Sequence, residues 1–537
     1  MATSLLILLS LLPSYILYLY INRLLRLRRE RLAAKRLHCQ HPPFIRNRWP
    51  FGLEGIGELK AADEGKYLPD CFLERHYAVA RQEGKDYVAT IAKWFCGQYL
   101  LQTTDPELIK AVLATQFKEF GLGEARIGNF KPLLGNGIFS ADGAQWEHAR
   151  TLLRPQFARE QVSDLELEEA HIQHLMRALP VNKDGWTNWV DIKSLFFRLT
   201  LDSATEFLFG ESVKSQLAAL PGYKLGPVEP ERDGELFAYA FDRSQQLIAN
   251  GFRYADYYWL FGHTKEFHAM NKICRDFIDY YVRLALQKRT TDEKTFDSGK
   301  RKYIFLEALA EHSQDPVEIR SQLLSILLAG RDTTASLLSW LFLLLLQPRN
   351  KPVYAKLRTA VLDAFGSYSN PKKITFANLK SCNYLQWCLN ETLRLYPVVP
   401  FNARRALVST TLPHGGGFDG KSPIYIPKGT EVMYSVYSMH RRRDIWGSDA
   451  TEFNPERWQG RKTGWEYLPF NGGPRICIGQ QFALTEAGYV AVRLVQRFES
   501  IEGHDAWVGE RALSRNGLAL TSCPADGVRL RLKEGKE

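Results

Sequence analysis

The chain carries the decapeptide Phe470-Asn471-Gly472-Gly473-Pro474-Arg475-Ile476-Cys477-Ile478-Gly479 near its C-terminus. Glycines on both sides of a cysteine let backbone N–H groups approach its sulfur closely, which suits a thiolate that ligates a metal. The nearby Arg475 can pair with an anionic group of a cofactor. A single cytosolic cysteine is more often an inert core residue, so the loop alone leaves both interpretations open.

The composition excludes several classes of protein. Of 537 residues, 45% are apolar and 24% are charged, which excludes a disordered, collagen-like or polytopic membrane protein. The net charge of +11 is concentrated at one end: residues 1–50 hold nine Lys or Arg and one Glu, a charge of +8, which leaves +3 for the remainder. A basic arm on a near-neutral body favours an anionic membrane surface as partner, with no nucleic acid.

The N-terminus predicts a membrane anchor. Residues 5–21 contain no charge, and seven Lys or Arg residues follow at 23–36. A cleaved signal peptide carries its positive charge before the apolar run and small residues after it, and neither feature is present. We therefore expect a transmembrane signal anchor at 1–22, then a basic juxtamembrane segment and a stiff proline hinge (Pro42-Pro43) at 23–50. The positive-inside rule places the rest of the chain in the cytosol.

The body, residues 51–537, shows no linker or internal repeat and is expected to form one large domain. The eight cysteines of the whole chain stand singly, without zinc spacing, as is usual in a reducing compartment. The fold class is mainly α with a minor β portion. We predict helices at 142–157, 190–209, 236–290, 316–347 and 383–396, short late strands at 423–427, 431–436 and 528–532, and surface loops at 220–234 and 289–301. The apolar stretch 335–346 is predicted to be a core helix, because twelve residues are too few for a second membrane span.

Five motifs of the body occur in the order found in one protein family. They are Trp146-Glu147-His148-Ala149-Arg150, Ala329-Gly330-Arg331-Asp332-Thr333-Thr334, Glu391-Thr392-Leu393-Arg394, Asn454-Pro455-Glu456-Arg457-Trp458 and the decapeptide around Cys477. Together they resemble cytochrome P-450, the haem-thiolate monooxygenases. The second motif matches the oxygen-binding kink of that family's long central helix, and Trp458 takes a place often held by Phe.

The resemblance implies a role for each matched residue. Cys477 would be the axial ligand of the iron of haem b, in a loop that begins with Phe470. Trp146, Arg150, Arg475 and Arg404, which follows Pro397 by seven residues, would bind the haem propionates. Asp332 and Thr333 would deliver protons to dioxygen. Taken without the resemblance, Trp146 and Arg150 are only neighbours on one helix face.

The resemblance also implies a structural ion triad of Glu391, Arg394 and Arg457. Loss of one partner from such a buried group typically costs ~3–5 kcal/mol. A surface salt bridge with i, i+3 spacing would contribute only about 0.2–0.5 kcal/mol. The apolar neighbours of Glu391 favour the buried triad.

A narrower resemblance concerns the substrate. The segments Phe401-Asn402-Ala403-Arg404-Arg405-Ala406 and Thr411-Leu412-Pro413-His414-Gly415-Gly416-Gly417-Phe418-Asp419-Gly420 look like those of the fungal branch that hydroxylates n-alkanes and fatty acids. His414 stands where Arg is commoner in that branch. The second segment, taken alone, is equally consistent with a glycine-rich hairpin insert.

The sequence thus predicts a monooxygenase of the endoplasmic reticulum membrane that inserts oxygen into an aliphatic C–H bond of a small hydrophobic substrate. Electrons would come from NADPH through a separate flavoprotein reductase, because the chain shows no Gly-x-Gly-x-x-Gly fingerprint. The alternatives are a monooxygenase of secondary metabolism, a reductase-independent haem isomerase or dehydratase, and a non-catalytic haem protein. The Asp332-Thr333 pair argues against an isomerase, which needs no proton delivery to oxygen.

Overall fold

The computed structural model describes residues 2–157, 165–223, 226, 230–292 and 304–535. Helices dominate and the strands form small sheets, so the predicted class is confirmed. Most of the loop predicted at 289–301 lies outside the described residues, as do 224–225 and 227–229 of the loop predicted at 220–234.

The long helices carry most of the fold. Those of eight or more residues are α1 (Ala2–Arg36), α2 (Glu54–Glu64), α3 (Leu68–Gln82), α4 (Glu124–Leu134), α5 (Gly143–Leu153), α6 (Leu165–Arg177), α7 (Ile192–Phe209), α8 (Gly234–Phe252), α9 (Lys265–Asp292), α10 (Phe305–His312), α11 (Pro316–Leu345), α12 (Lys351–Phe365), α13 (Asn383–Leu395) and α14 (Gln480–Arg497). Shorter α-helices span Pro106–Lys110, Ser215–Ala218, Tyr258–Phe261, Phe376–Ser381, Val436–Met439, Arg443–Trp446 and Glu510–Ser514.

The strands form four described sheets. They are β1 (Thr90–Phe95), β2 (Gln98–Thr103), β3 (Phe120–Gly121), β4 (Val190–Asp191), β5 (Phe401–Ala406), β6 (Thr410–Gly416), β7 (Ser422–Ile426), β8 (Glu431–Ser435), β9 (Phe498–Gly503), β10 (Asn516–Leu518), β11 (Ser522–Pro524) and β12 (Arg529–Glu534). The largest sheet has the order β1-β2-β8-β5-β3, with β2 and β8 parallel. β6 and β7 form the predicted glycine-rich hairpin.

The central helix α11 organises the core. Pro316 is its first residue, and the side chain of Asp315 caps it by accepting a hydrogen bond from the Val317 amide at 2.9 Å. Its residues 334–345 are all buried, and the helix packs against α7, α13 and α14. This confirms the interpretation of 335–346 as a core helix.

The prediction of one helix over 236–290 was wrong. The structure has α8 and α9 there, separated by a turn and the short helix Tyr258–Phe261. The turn brings two glycines together: a Cβ on Gly262 would lie 2.9 Å from Gly251 Cα, so a side chain at Gly262 would force the turn apart. The expectation that strands come late was also wrong, because β1 and β2 precede most of the helices.

The N-terminal helix α1 does not support the predicted transmembrane anchor at 1–22. Among the residues that the structure describes, no helix is both long enough and apolar enough to cross a bilayer. Helix α1 continues without interruption through the basic stretch to Arg36.

The segment after α1 is held against the body. The Gln40 amide donates to the Pro423 carbonyl, and the Gly417 amide donates to the His41 carbonyl, both at 2.9 Å. The Ala92 amide donates to the Pro43 carbonyl, also at 2.9 Å. The segment 40–43 therefore lies between the β6–β7 hairpin and β1 and is hydrogen-bonded to both.

Candidate active site

The loop before α14 presents the Cys477 side chain to an open recess. The Cys477 amide donates to the Phe470 carbonyl at 3.0 Å, which closes the loop at its base. Gly473 has φ +69°, and a Cβ there would overlap the Leu113 carbonyl, so the glycine is required by both conformation and space. Cys477 itself is exposed, in a recess of ≈ 640 Å³ shared with Arg150, Phe157 and Ile478.

The surroundings of Cys477 act on its thiol in opposite directions. Burial of the sulfur raises the pKa of Cys477, although the residue as a whole remains accessible from the recess. The Gly479 amide and the Arg150 guanidinium oppose this shift by stabilising the thiolate. A metal cation at the sulfur would add the charge that deprotonates a coordinating thiol.

Trp146 and Arg150, both on α5, reach the same loop. Arg150 Nη1 donates to the Ile476 carbonyl at 3.1 Å. The Arg475 guanidinium lies 4.4 Å from the centroid of the Trp146 ring, a cation–π distance. Arg475 also donates to Asp142 Oδ1 at 2.5 Å and to the Ala141 carbonyl at 3.0 Å.

Three guanidinium groups form what we call the cationic cluster: Arg126 on α4, Arg404 on β5 and Arg475. Asn402 Oδ1 joins the first two, accepting from Arg126 at 2.5 Å and from Arg404 at 3.2 Å. Burial, reinforced by the other guanidinium groups, lowers the pKa of Arg126 to about 10 and that of Arg475 to about 9. Within the described chain Arg126 Nε has no hydrogen-bond partner. The cluster therefore holds excess positive charge that an anionic ligand would neutralise.

One face of α11 is open in the middle of the core. Every residue from 321 to 346 is buried except Ala329, Gly330 and Thr333, whose spacing puts them on one side of the helix. A buried helix can be open there only if an internal space lies beside it. The Thr333 hydroxyl donates to the Ala329 carbonyl at 2.6 Å, and the helix stays continuous past Gly330.

Asp332 points away from that open face. It is 2% exposed, and its Oδ1 lies 3.2 Å from Arg331 Nη1. Burial raises the pKa of Asp332 to about 6, against the opposing effect of Arg331 and a hydrogen bond from Gln245. These residues border a cleft of ≈ 1280 Å³ with many charged side chains in its walls, among them Arg243 and Arg253. Such a cleft suits water and protons better than an aliphatic chain.

The predicted ion triad is buried and fully bonded. Glu391 and Arg394 are 0% exposed, and two hydrogen bonds of 2.8 Å join them. Arg457 Nε donates to Glu391 Oε1 at 3.3 Å and is held in turn by Asp449. The indole N–H of Trp458 also donates to Glu391, at 3.0 Å, so this tryptophan adds a hydrogen bond that the more usual phenylalanine lacks.

The structure brings some of the predicted site residues together and separates others. Trp146, Arg150, Arg475, Cys477 and Phe470 form one contiguous group, and Arg404 is linked to it electrostatically through Arg475. No hydrogen bond or ion pair between described residues connects Asp332 or Thr333 to this group.

Sequence reasoning missed Arg126 and the role of Asn402. Asn402 had a detectable signal, because it precedes Arg404 by two residues on one strand and such residues share a face. Arg126 had none. Nothing in its local sequence indicates that α4 packs beside β5.

The site residues described above lie within a stretch of the chain that matches a known protein family. The family model for cytochrome P-450 covers residues 76–511. The chain belongs to the cytochrome P-450 family. It is a monooxygenase of that family, and the predicted enzyme class is confirmed.

Curated relatives cover nearly the whole of this P-450. A cytochrome P-450 monooxygenase of a Fusarium species is 50% identical over 525 residues, 96% of this chain and 89% of the relative. Cytochrome P-450 monooxygenase alt2 of Alternaria solani is 44% identical, over 91% of each chain. Cytochrome P-450 52A3-B of Candida maltosa is 44% identical, over 89% of each chain.

The P-450 family implies haem, and the residues present fit that group. Among described residues, the salt-bridge partner of the cationic cluster is Asp142 on Arg475, so the cluster keeps excess positive charge beside Trp146, as propionate binding would require. The thiol of Cys477 faces a recess next to its glycine-containing loop. The open face of α11 consists of small residues. The donor set, one thiolate with Arg and Trp around it, matches the chemistry of a haem-thiolate site.

Proposed function

We propose that this P-450 hydroxylates long-chain fatty acids or n-alkanes at or near the terminal carbon, with electrons from NADPH supplied by a separate flavoprotein reductase. The observation that carries the monooxygenase site is the accessible Cys477 in a loop flanked by Arg150 and the cationic cluster. The substrate class is supported by the likeness of the Arg404 strand and of the β6–β7 hairpin to the fungal alkane and fatty-acid hydroxylases.

Each residue of the site has a defined task in this proposal. Haem bound here would supply the activation of dioxygen. Cys477 would bind its iron as thiolate, held by the Gly479 amide and Arg150, while Trp146, Arg404 and Arg475 would bind the propionates. Arg126 would share that task, because it belongs to the same cluster and its own Nε has no hydrogen-bond partner among described residues.

Protons would reach the site along α11. Asp332 borders a charged, water-accessible cleft on one side of the helix, and Thr333 lies on the open face at the other side. A carboxylic acid whose pKa is raised to about 6 can both release and regain a proton near neutral pH. Asp332 would therefore draw protons from the cleft, and the Thr333 hydroxyl would present them at the open face.

The substrate proposal is tested by a chain-length series. Each buried CH₂ contributes about 0.8 kcal/mol, so the dissociation constant should fall about fourfold per carbon until the pocket is full. Type I difference spectra with C8–C20 fatty acids and alkanes measure this, and product analysis with reductase and NADPH locates the hydroxyl. A type I response to a sterol or compact aromatic, with none to any fatty acid or alkane, would reject the substrate class and favour secondary metabolism.

Thr333→Ala should uncouple the reaction. The variant should still bind haem and substrate and consume NADPH, but product per NADPH should fall on the order of 10²-fold, the range of general-acid effects, with hydrogen peroxide released instead. Thr333→Ser is the matched control, since it keeps the hydroxyl. Asp332→Asn should instead slow NADPH and oxygen consumption together. Normal coupling in Thr333→Ala would leave Thr333 with a purely structural role.

We also propose that the protein binds the cytosolic face of the endoplasmic reticulum membrane through a surface at one end of the body. Trp259, Leu260 and Phe261 are 54–59% exposed on the short helix after α8. The exposed Phe51 lies near these side chains. Its carbonyl accepts a hydrogen bond from the Gly97 amide in the β1–β2 turn, and the next residue, Gln98, contacts Asp256, which precedes the short helix by two residues. Such aromatic and apolar side chains partition into the interface, and the basic half of α1 would meet anionic lipid.

Two variants separate these contributions. Deletion of residues 1–36 removes a net charge of +6 and should weaken binding to anionic vesicles strongly while leaving a residual, salt-resistant fraction. Replacement of Trp259, Leu260 and Phe261 by Ser in the truncated chain should abolish that fraction, whereas Val317→Ser, at another exposed apolar position, should not. Full vesicle binding by the truncated triple variant in a flotation assay would contradict the proposal.

A further inference from the structure

A second buried carboxylic acid lies next to the Thr333 segment. Glu486 of α14 is 3% exposed, in the contact between α14 and α11. The hydroxyl of Ser203, which is itself 1% exposed on α7, donates to Glu486 Oε1 at 2.7 Å. Thr334, the residue after Thr333, is 1% exposed, and its hydroxyl acts on Glu486 as a hydrogen-bonding neighbour that lowers the pKa of the carboxyl.

Two polar atoms of this contact remain unpaired. Among described residues, neither Glu486 Oε2 nor Thr334 Oγ1 has a partner at ordinary hydrogen-bond length and angle, although the two groups are close enough to interact. Buried polar atoms nearly always have one, so the carboxyl and the hydroxyl satisfy each other through a proton or an ordered water molecule. A protonated Glu486 meets this requirement, because its O–H can donate where a carboxylate could only accept.

Further titratable groups lie near Glu486, on the side that faces away from α11. His171 of α6 is 2% exposed and close enough to lower the pKa of Glu486. Its Nε2 lies 2.9 Å from Glu206 Oε2, and its ring lies 5.9 Å from that of the less buried His174. Burial raises the pKa of Glu486 to about 7, while Ser203, Thr334 and His171 oppose the shift. The acid can therefore exchange a proton near neutral pH.

We propose that Glu486 is a second proton donor to the Thr333–Thr334 segment, reached from the α6 side of α11 and independent of Asp332. This rests on the proposed monooxygenase function. The proton on Oε2 passes to the Thr334 hydroxyl oxygen as that hydroxyl releases its own proton through ordered water to the open face at Thr333, and the carboxylate regains a proton from solvent on the α6 side. Glu486 acts through the two threonines and does not touch the reacting atoms.

A purely structural role accounts for the arrangement less well. An ionisable group with one unpaired oxygen is costly in a core, and an apolar side chain of similar size would serve packing better. The structural alternative predicts that Glu486→Gln, which preserves shape and the acceptor for Ser203, changes nothing but stability.

The first measurement is spectroscopic and needs no turnover. In the haem-loaded Asp332→Asn protein, infrared difference spectra should show the C=O band of a protonated buried carboxyl that titrates near pH 7. The band should vanish in Glu486→Gln. It should move to higher frequency and titrate at higher pH in Ser203→Ala, which removes a hydrogen bond from Oε1. The matched control is Ser339→Ala, since that buried hydroxyl donates to the Ala335 carbonyl instead.

The second measurement is turnover in the same variants. Glu486→Gln combined with Asp332→Asn should hydroxylate at least about tenfold more slowly than Asp332→Asn alone, within the usual range of general-acid effects. The absence of the carboxyl band at pH 6, or equal rates in the double and single variants, would overturn the proposal. A wild-type protein that hydroxylates no substrate would refute the proposed function, while the infrared result would still report on Glu486.

Discussion

Cys477→Ala should eliminate the red-shifted Soret band of the ferrous carbon monoxide complex and all NADPH-dependent hydroxylation. That band reports an axial thiolate, and Cys477 supplies the thiol that opens on the recess beside Arg150. The remaining loop and the cationic cluster should still retain part of the haem, because propionate binding does not involve the sulfur. Reduced carbon monoxide spectra and haem content per chain are the measurements.

Cys523→Ala is the control, since Cys523 is also a partly accessible thiol but borders the charged cleft near Asp332. It should leave the band and the haem content unchanged. A red-shifted band that survives in Cys477→Ala would identify another cysteine as the ligand and refute the site assignment.

Glu391→Gln should destabilise the fold by ~3–5 kcal/mol, the usual result of removing one charge from a buried ion group. Glu391 accepts hydrogen bonds from Arg394, Arg457, Trp458 and the Asn454 amide, so a neutral side chain would leave Arg394 without a carboxylate and Arg457 with Asp449 alone. The midpoint of urea unfolding and the yield of haem-loaded protein measure the effect.

Trp458→Phe gives a graded comparison. It removes a single N–H donor to the carboxylate and should cost about 1.5–3 kcal/mol, the range for hydrogen bonds to charged groups. Glu456→Gln is the matched control, because Glu456 forms a salt bridge with Lys356 at the surface. Exposed salt bridges contribute about 0–1 kcal/mol to stability. Equal losses of stability for Glu391→Gln and Glu456→Gln would show that the triad stabilises the fold no more than an exposed ion pair does.

The features that could be predicted from sequence are those specified by neighbouring residues. The loop around Cys477, the cap and length of α11, and the pairing of Glu391 with Arg394 each depend on residues within one helix or one turn. The single helix predicted over 236–290 failed for the opposite reason. Its helical periodicity persists through the turn. The chain nevertheless turns back between α8 and α9, where Gly262 lies close to Gly251, eleven residues earlier.

The rest of the site depends on contacts that join distant segments. Arg126 and Arg404 are far apart in sequence and meet only because α4 packs against the β5 strand. Asp332 and Thr333 are adjacent and were predicted as one functional pair, yet one helix step turns them to different sides of α11. Glu486 was not predicted, because burial rather than any motif gives it an unusual pKa.

The cationic cluster links the amount of folded protein to the supply of its cofactor. Asp142 pairs with Arg475 alone, so without a further anion Arg126, Arg404 and Arg475 still repel one another, and the chain without haem carries an electrostatic penalty. A ligand that binds only the native state at 100 times its dissociation constant adds about 2.7 kcal/mol of stability. In a cell short of haem that contribution disappears, and quality control would remove the newly made chains. Abundance of this enzyme would then follow haem biosynthesis even at constant transcription.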